Sequence, residues 1–281
     1  MKTTTKQKIA FSILFLCTIA VVLPVLFVFG VIVKNGYKAL GWQFLTMMPA
    51  QGMREGGIYP AIIGTAYLVS LSIVFSLPVG ILAAIYLNEY AKDNLLTRMI
   101  QLAIVNLAGV SSVVYGLFGL ALFVNFMKFG VSILSGALTL SLMNLPVIIT
   151  TAREALAGVP YQFREVSLSL GLTRWQTIRH SVLPFALPGI LTGAILSLAR
   201  AAGETAPILF TVAAFYLPHL PRSVFDQAMA LPYHLYIIST QIPNISIQTR
   251  YGTALVLVGI VFTMNIFAVI IRARLRKKKK W

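Results

Sequence analysis

Charged residues are scarce in this chain. Only 11% of its 281 residues are charged, whereas soluble domains carry about 25%. Hydrophobic residues make up 58% of the sequence, and the mean hydropathy is +0.85. A soluble fold would need helices that are apolar on all sides, with almost no charged surface to keep them in water. This scarcity excludes an ordinary soluble domain and predicts an all-α integral membrane protein.

Features that would indicate an enzyme or a disulfide-bonded protein are also missing. The only cysteine, Cys17, lies within an apolar run and has no partner for an internal disulfide. His219 and His234 have no neighbours at metal-ligand spacing, so we expect ordinary surface or packing roles for both. A Gly-x-x-x-x-Gly-Lys-[Ser/Thr] motif is absent, and the chain itself is not expected to hydrolyse ATP. An enzyme acting inside the membrane has no nucleophile–base cluster to support it.

Long apolar runs fill most of the sequence. A helix needs about 20 residues to cross the hydrocarbon core, and the predicted spans are residues 9–33, 60–87, 99–127, 131–151, 186–213 and 253–271. The first run continues for 25 residues, which is longer than the apolar region of a signal peptide and favours a retained helix. We therefore predict one six-span membrane domain over residues 9–271. It lies between an N-terminus of residues 1–8 and a basic tail of residues 272–281.

The distribution of basic residues predicts the orientation. If the N-terminus is cytoplasmic, the inside segments carry 16 of the 23 Lys and Arg residues and the outside segments carry six. Basic residues concentrate on the cytoplasmic side of membrane proteins, so both termini are expected there. The net charge of +16 does not indicate nucleic-acid binding, because the basic residues flank apolar runs or lie in the tail. The tail is expected to attract anionic lipid, and Glu89 and Asp93 are interpreted as markers of a cytoplasmic span end.

A cytoplasmic loop over residues 152–185 interrupts the apolar sequence with two short helices. The residue before a proline disfavours helix, so Pro160 is expected to break the incoming helix. In residues 161–170 the apolar side chains recur at helical spacing, at Phe163, Val166 and Leu170. This spacing places Arg164 and Glu165 on the other, exposed side.

A turn is predicted between these two helices. Gly171 can take a left-handed conformation and end the first helix, and Thr173 can cap the second, over residues 174–182. Two interpretations are open: a stiff contact to a partner protein, or an amphipathic helix resting on the membrane. The spacing from Glu165 to Gly171, and on to the Leu-Pro pair at residues 183–184, favours the contact.

A second polar pair lies within the fifth predicted span. Arg200 and Glu204 are four residues apart, so they are expected on one helix face. A charge at mid-membrane costs about 2.5–3.5 kcal/mol on insertion scales, and such residues usually face a pathway or a partner. Gly203 and Pro207 weaken the helix locally, which is tolerated where backbone lines a cavity or packs on protein. The pattern favours a pathway or subunit-interface role over a merely structural ion pair.

These segments resemble a known family. Glu165, the glycine six positions later and the following Leu-Pro pair resemble the cytoplasmic EAA loop of ABC importer permeases. Three runs, LGLTRWQTIR (170–179), LPFALPGILTG (183–193) and RAAGETAP (200–207), are similar to the PstA family, the permease subunits of bacterial phosphate ABC transporters. Two residues depart from the loop pattern: Ser181 stands where Ile or Val is usual, and Val166 where Ala is usual. The resemblance covers roughly residues 40–270.

The resemblance implies a type I ABC importer permease, with a MetI-like fold, that moves inorganic phosphate across the bacterial cell membrane. It implies three partners: a homologous PstC-like permease, a PstB-like ATPase dimer that uses the ATP, and an extracytoplasmic PstS-like phosphate-binding protein. No cofactor is implied for the chain itself. Arg164, Glu165 and Gly171 would belong to the ATPase coupling loop, and Arg200 and Glu204 to the pathway or subunit interface. A permease for another oxyanion and a stand-alone secondary transporter or channel stay open, although no inverted repeats are evident.

Overall fold

The computed structural model describes residues 5–277 and the side chains of residues 7–274. This part of the chain is helical apart from loops, of which residues 212–230 are the longest, and a two-stranded antiparallel ladder, β1 (Pro49–Ala50) and β2 (Glu55–Gly56). The α-helices are α1 Thr5–Gly36, α2 Trp42–Thr46, α3 Tyr59–Ile85, α4 Leu95–Ala108, α5 Ser112–Gly119, α6 Ile133–Ala157, α7 Gln162–Ser169, α8 Arg174–Thr177, α9 Leu183–Gly203, α10 Ala206–Thr211, α11 Leu231–Thr240 and α12 Ile247–Lys277. Further turns are 3₁₀ at Tyr37–Ala39 and Gln51–Met53 and π-helical at Tyr86–Tyr90, Leu120–Phe126 and Ile178–Val182.

Five helical stretches in the described range are long and apolar enough to cross a membrane. They are Gln7–Ala39, Tyr59–Tyr90, Ile133–Ala157, Arg174–Gly203 and Ile247–Arg274. A bent pair, Leu95–Ala108 and Ser112–Phe126, makes a sixth span if it is counted as one. The predicted all-α membrane fold is confirmed on this count. Of the predicted termini, residues 1–4 and 278–281 lie outside the described residues, and residues 272–277 continue α12.

The predicted span 99–127 is not one straight helix. Its two halves, α4 and α5 with the following π-helical turn, are bent by 102°. The carbonyl of Leu107 accepts hydrogen bonds from the Val110 amide at 3.1 Å and from the Tyr115 hydroxyl at 2.9 Å. These bonds satisfy a backbone group that a straight helix would have used internally. Hydropathy measures how favourably residues transfer into lipid, and it does not describe the direction of the backbone. It therefore did not predict this bend.

The predicted span 186–213 differs from the structure at both ends. At its start no break separates the loop from the span, because the helix runs from Arg174 to Gly203. The π-helical turn Ile178–Val182 ends two residues before Pro184, and such wide turns accommodate local changes in the helical hydrogen-bond pattern. At its far end the helix stops at Gly203, where Glu204 is extended with φ −74° and ψ 134°. A new short helix, α10, then begins with Pro207 in its first turn.

Close packing of α3, α6 and α9 forms the centre of the molecule. A β-carbon at Gly80 of α3 would lie 2.6 Å from Cγ2 of Ile148 in α6. A β-carbon at Gly193 of α9 would collide with the Thr151 side chain, also in α6. Small residues at such crossings let membrane helices approach closely. These helices therefore form one packed body that carries the loop at one end.

Helix α1 contrasts with this centre. Its side chains over residues 9–29 are exposed, and burial increases only in its last turns, where Gly36 is buried. There the packing is tight, because a β-carbon at Gly36 would lie 2.5 Å from the Tyr251 carbonyl oxygen of α12. An apolar helix exposed along most of its length fits hydrocarbon or a second membrane protein.

Candidate functional site

The turn between α7 and α8 has the predicted geometry. Gly171 has φ +81°, in the left-handed region that favours glycine. Its amide donates to the Leu168 carbonyl at 3.0 Å, and the Leu172 amide donates to the Ser167 carbonyl at 3.3 Å. These bonds close the end of α7. The prediction that Gly171 ends the first helix is confirmed.

Thr173 caps the second helix, as predicted. The Gln176 amide donates to Oγ1 of Thr173 at 3.3 Å, and the Thr173 amide donates to Oε1 of Gln176 at 2.8 Å. This reciprocal arrangement is a capping box, which satisfies two amides at a helix start. The cap fixes the first turn of the continuous helix Arg174–Gly203.

The outer surface of this loop is partly apolar. Glu165 is exposed, and its carboxylate forms no ion pair among the side chains that the structure describes. Exposed apolar side chains lie on the same two helices and their turn: Val166 at 60%, Leu168 at 45%, Leu170 at 77% and Trp175 at 48%. The predicted apolar face is therefore wrong for Val166 and Leu170, and only Phe163 of that set packs inward.

Arg164 was predicted on the exposed face, and this prediction is wrong. Its side chain is only 13% exposed and points into the molecule. The guanidinium binds both carboxylate oxygens of Glu89, with Nη2 to Oε1 at 2.7 Å and Nε to Oε2 at 3.1 Å. It also donates to the carbonyls of Val159 at 2.9 Å and Leu156 at 3.0 Å. The long reach and planar fork of arginine allow one side chain to join three chain segments.

Glu89 is a functional candidate that sequence reasoning missed. It lies in the π-helical turn that follows α3, and its carboxylate is 11% exposed. Nδ2 of Asn88 donates to its Oε1 at 2.8 Å. Glu89 and Arg164 are 75 residues apart, so local spacing carries no signal of the pair. The one available signal was a lone acid at the end of a long span, which was interpreted only as a boundary marker.

Further contacts hold the loop on the ends of α3 and α6. A buried apolar cluster includes Ile85, Leu87, Leu156, Ile178 and Val182. The hydroxyls of Ser167 and Ser181 lie 2.6 Å apart, so the unusual serine at position 181 ties α7 to the π-helical turn before α9. A cavity of about 600 Å³ remains beside the loop, and both Glu89 and Arg164 line it.

Arg200 and Glu204 meet, as predicted, but not on one continuous helix. Nε of Arg200 lies 3.2 Å from Oε1 of Glu204, and the two side chains are 42% and 18% exposed. Arg200 occupies the last turn of α9, whereas Glu204 is the first residue beyond it. Helix α5 packs on this break, since a β-carbon at Gly116 would lie 3.0 Å from the Ala206 carbonyl oxygen. The pair thus lies at a helix break, and much of the Arg200 side chain is exposed.

Two of the three histidines, His219 and His234, lie outside the loop and outside the Arg200–Glu204 segment. His219 is exposed, whereas His234 in α11 is 4% exposed. Burial lowers the pKa of His234 to about 4, so its imidazole is neutral at pH 7. Within the described residues no group of three or more His, Cys, Asp or Glu side chains could hold a metal ion.

The sequence matches the family model described as "Binding-protein-dependent transport system inner membrane component" over residues 76–281. It is 34% identical over 274 residues to "Phosphate transport system permease protein PstA 1" of Mycobacterium tuberculosis (strain ATCC 25618 / H37Rv), covering 95% of this chain and 87% of that protein. It is 32% identical over 268 residues to "Probable ABC transporter permease protein YqgI" of Bacillus subtilis (strain 168), covering 90% and 91%.

Two solved structures have a similar fold. One is a bacterial alginate ABC transporter in complex with an alginate pentasaccharide-bound periplasmic protein, with a TM-score of 0.64, 18% identity, and 96% of this chain and 93% of that chain covered. The other is the inward-facing MetNI methionine ABC transporter, with a TM-score of 0.61, 15% identity, and 78% and 97% covered. At such identities the likeness concerns the fold alone.

Proposed function

The chain belongs to the family of binding-protein-dependent transport system inner membrane components, and on that basis we propose that it is the permease subunit of an ABC importer that brings inorganic phosphate into the cell. The fold class predicted from the sequence is confirmed, since the helical architecture is that of type I ABC importer permeases. The assignment of phosphate as the substrate rests on the 34% identity, over 95% of this chain, to a phosphate transport system permease protein.

The loop surface is proposed to dock on a separate ATPase. Exposed Glu165 and the exposed side chains of Val166, Leu170 and Trp175 combine one charge with an apolar patch on α7, its turn and the first turn of α8, a combination that suits a protein partner. Gly171 and the capping box give this surface a defined shape. Because α8 continues into α9, motion at the turn is carried by a helix of 30 residues, about 45 Å long.

Arg200 and Glu204 lie near the far end of that helix and are proposed to act in the translocation pathway or at the interface with a second permease. The guanidinium uses Nε for Glu204, and within the described part of the chain its other donors make no hydrogen bond, so they can bind another group. Arginine suits phosphate because its planar fork can donate two hydrogen bonds to an oxyanion. A charged pair at the end of α9, within the predicted span 186–213, is costly in a membrane unless it has a function, which supports a transport role.

The assembly proposed for this chain contains a homologous PstC-like permease, two copies of a PstB-like ATPase and an extracytoplasmic PstS-like phosphate-binding protein. Exposed α1 supplies apolar surface for lipid or the second permease. We propose that both termini and the α7–α8 loop are cytoplasmic, supported by the bias of basic residues toward that side. A reporter active only outside the cytoplasm should be silent after Trp281 and active within residues 214–250. A strong signal after Trp281 would contradict this orientation.

The proposed function is tested by uptake into vesicles that contain the whole complex. Labelled phosphate, molybdate and sulfate are compared with and without ATP. We expect ATP-dependent uptake of phosphate that molybdate and sulfate do not share. ATP-dependent molybdate uptake without phosphate uptake would reject phosphate as the substrate and leave the permease role standing. Phosphate uptake by this chain without any ATPase would reject the importer role.

A further inference from the structure

Glu89 connects the loop to a span that is distant in sequence. It lies in the π-helical turn Tyr86–Tyr90, which directly continues α3. Both of its carboxylate oxygens bind Arg164 of α7, at 2.7 and 3.1 Å. The same guanidinium binds the Leu156 and Val159 carbonyls at the end of α6. One arginine therefore ties the proposed docking helix to the ends of α3 and α6.

We propose that Glu89 is a positioning residue for transport: it fixes the orientation of α7 against α3, so that movement imposed on the loop by an ATPase reaches the membrane helices. This inference rests on the proposed function. It adds a second connection between loop and membrane, because the continuous helix Arg174–Gly203 leaves the loop on its other side. With both connections in place, α7 cannot rotate independently of the span body.

Apolar packing alone does not supply this orientation. The buried cluster around Leu156, Ile178 and Val182 holds the loop on the helix ends, but hydrophobic contact is non-directional. On the side of Glu89 a cavity of about 600 Å³ lies between Asn88 and the loop residues Tyr161 and Leu168. A bidentate arginine–carboxylate contact restricts both distance and angle. The ion pair is therefore the directional contact on this side of α7.

The chain offers a matched control. Asp93 and Arg98 form a second ion pair close by in sequence, with Nε of Arg98 2.9 Å from Oδ1 of Asp93 and side chains 76% and 68% exposed. An exposed pair of this kind contributes little to stability. It shares the chemistry of the Glu89 pair but joins residues only five positions apart in one segment. Asp93→Asn should leave every measurement below unchanged.

The first experiment measures ATP hydrolysed per phosphate imported in vesicles that contain the whole complex. Glu89→Gln should retain the ATPase during purification, yet raise this ratio about tenfold, the scale on which changes in ion-pair networks alter coupling between sites. The double variant Glu89→Leu/Arg164→Met removes both charges and should unfold at a higher temperature than Glu89→Leu alone. The double variant should nevertheless keep the raised ratio, which a merely structural role of Glu89 would not produce.

A second measurement does not depend on the substrate. Spin labels at Ser169→Cys, an exposed position at the end of α7, and at Lys92→Cys, in a Cys17→Ser background, report the distance between α7 and the segment after α3 in the intact complex. We expect a narrow distance distribution with native Glu89 and a broad one in Glu89→Gln. A narrow distribution in Glu89→Gln, or a ratio that returns to normal in the double variant, overturns the proposal. If the complex imports molybdate instead of phosphate, the distance result still decides the role of Glu89, so the two failures are distinguishable.

Discussion

The chain uses an arginine–glutamate pair in two regions, and the two pairs are built differently. In the loop pair, Arg164 makes four hydrogen bonds to Glu89 and two carbonyls, and both side chains are nearly buried. In the membrane pair, Arg200 makes one contact to Glu204 at 3.2 Å, and its side chain is 42% exposed. A guanidinium with four of its five donors engaged holds structure in place, whereas one with a single donor engaged can bind something else. The comparison assigns to Arg164 a rigid connection between the loop and the spans, the fixed joint, and to Arg200 a direct role in transport.

Breaking the membrane pair should have the largest effect on transport. For Arg200→Leu we expect phosphate uptake per assembled complex to fall about 100-fold, the scale seen when one preorganised donor is removed from a working site. Assembly should be unaffected, because the substitution removes a charge from an otherwise apolar span. Arg200→Lys should also be impaired, since an ammonium lacks the guanidinium fork. Glu204→Gln tests whether the carboxylate charge itself is needed. Wild-type uptake by Arg200→Leu would show that this pair has no transport role.

Breaking the loop pair should instead affect stability first. Arg164→Met leaves the Glu89 carboxylate without its cation and removes the arginine donor from two carbonyls, of which that of Leu156 still accepts from the Val159 amide at 3.2 Å. We expect a loss of about 2–3 kcal/mol in the free energy of unfolding, the lower end for a broken buried pair because both groups keep some exposure. The measurement is the unfolding midpoint of the purified complex. The control is Arg98→Met, which removes an exposed pair and should not lower the midpoint. Equal midpoints for the two variants would contradict the fixed-joint assignment.

The docking surface beside the loop pair should be the most tolerant of change. Gly171→Val places a branched side chain at φ +81°, a strain of about 1–3 kcal/mol, and should weaken ATPase retention without blocking membrane insertion. Gly30→Val is the control, because Gly30 also has no neighbour within 4 Å but has no positive φ. Glu165→Lys reverses the exposed charge and should weaken retention as well. Normal retention and normal uptake in both loop variants would show that this surface is not the coupling element.

Local pattern predicted much of both regions. The left-handed turn at Gly171, the Thr173 cap and the contact of Arg200 with Glu204 all depend on residues within a few positions of one another. The structure confirmed these three. Such features depend on local backbone preferences and on helix periodicity, and both can be inferred from a single sequence.

Contacts between distant residues and changes in backbone direction could not be predicted in this way. The partner of Arg164 is 75 residues away, so helical spacing placed that arginine on the wrong face. The bend of 102° between α4 and α5 lies inside a run that hydropathy assigned to one span, residues 99–127. The continuity of the helix through Pro184 depends on a wide turn just before it. Tertiary packing decides each of these, and hydropathy does not report it. The orientation of the termini stays a prediction.

The division of roles between the two arginines is tested most directly by ATP hydrolysis of the whole complex, measured with and without its phosphate-binding protein. The account predicts that Arg200→Leu keeps the stimulation by the binding protein, because the joint between loop and spans is intact although phosphate does not pass. It predicts that Arg164→Met loses this stimulation, because movement no longer crosses the joint. Retained stimulation in Arg164→Met together with its loss in Arg200→Leu would contradict the account.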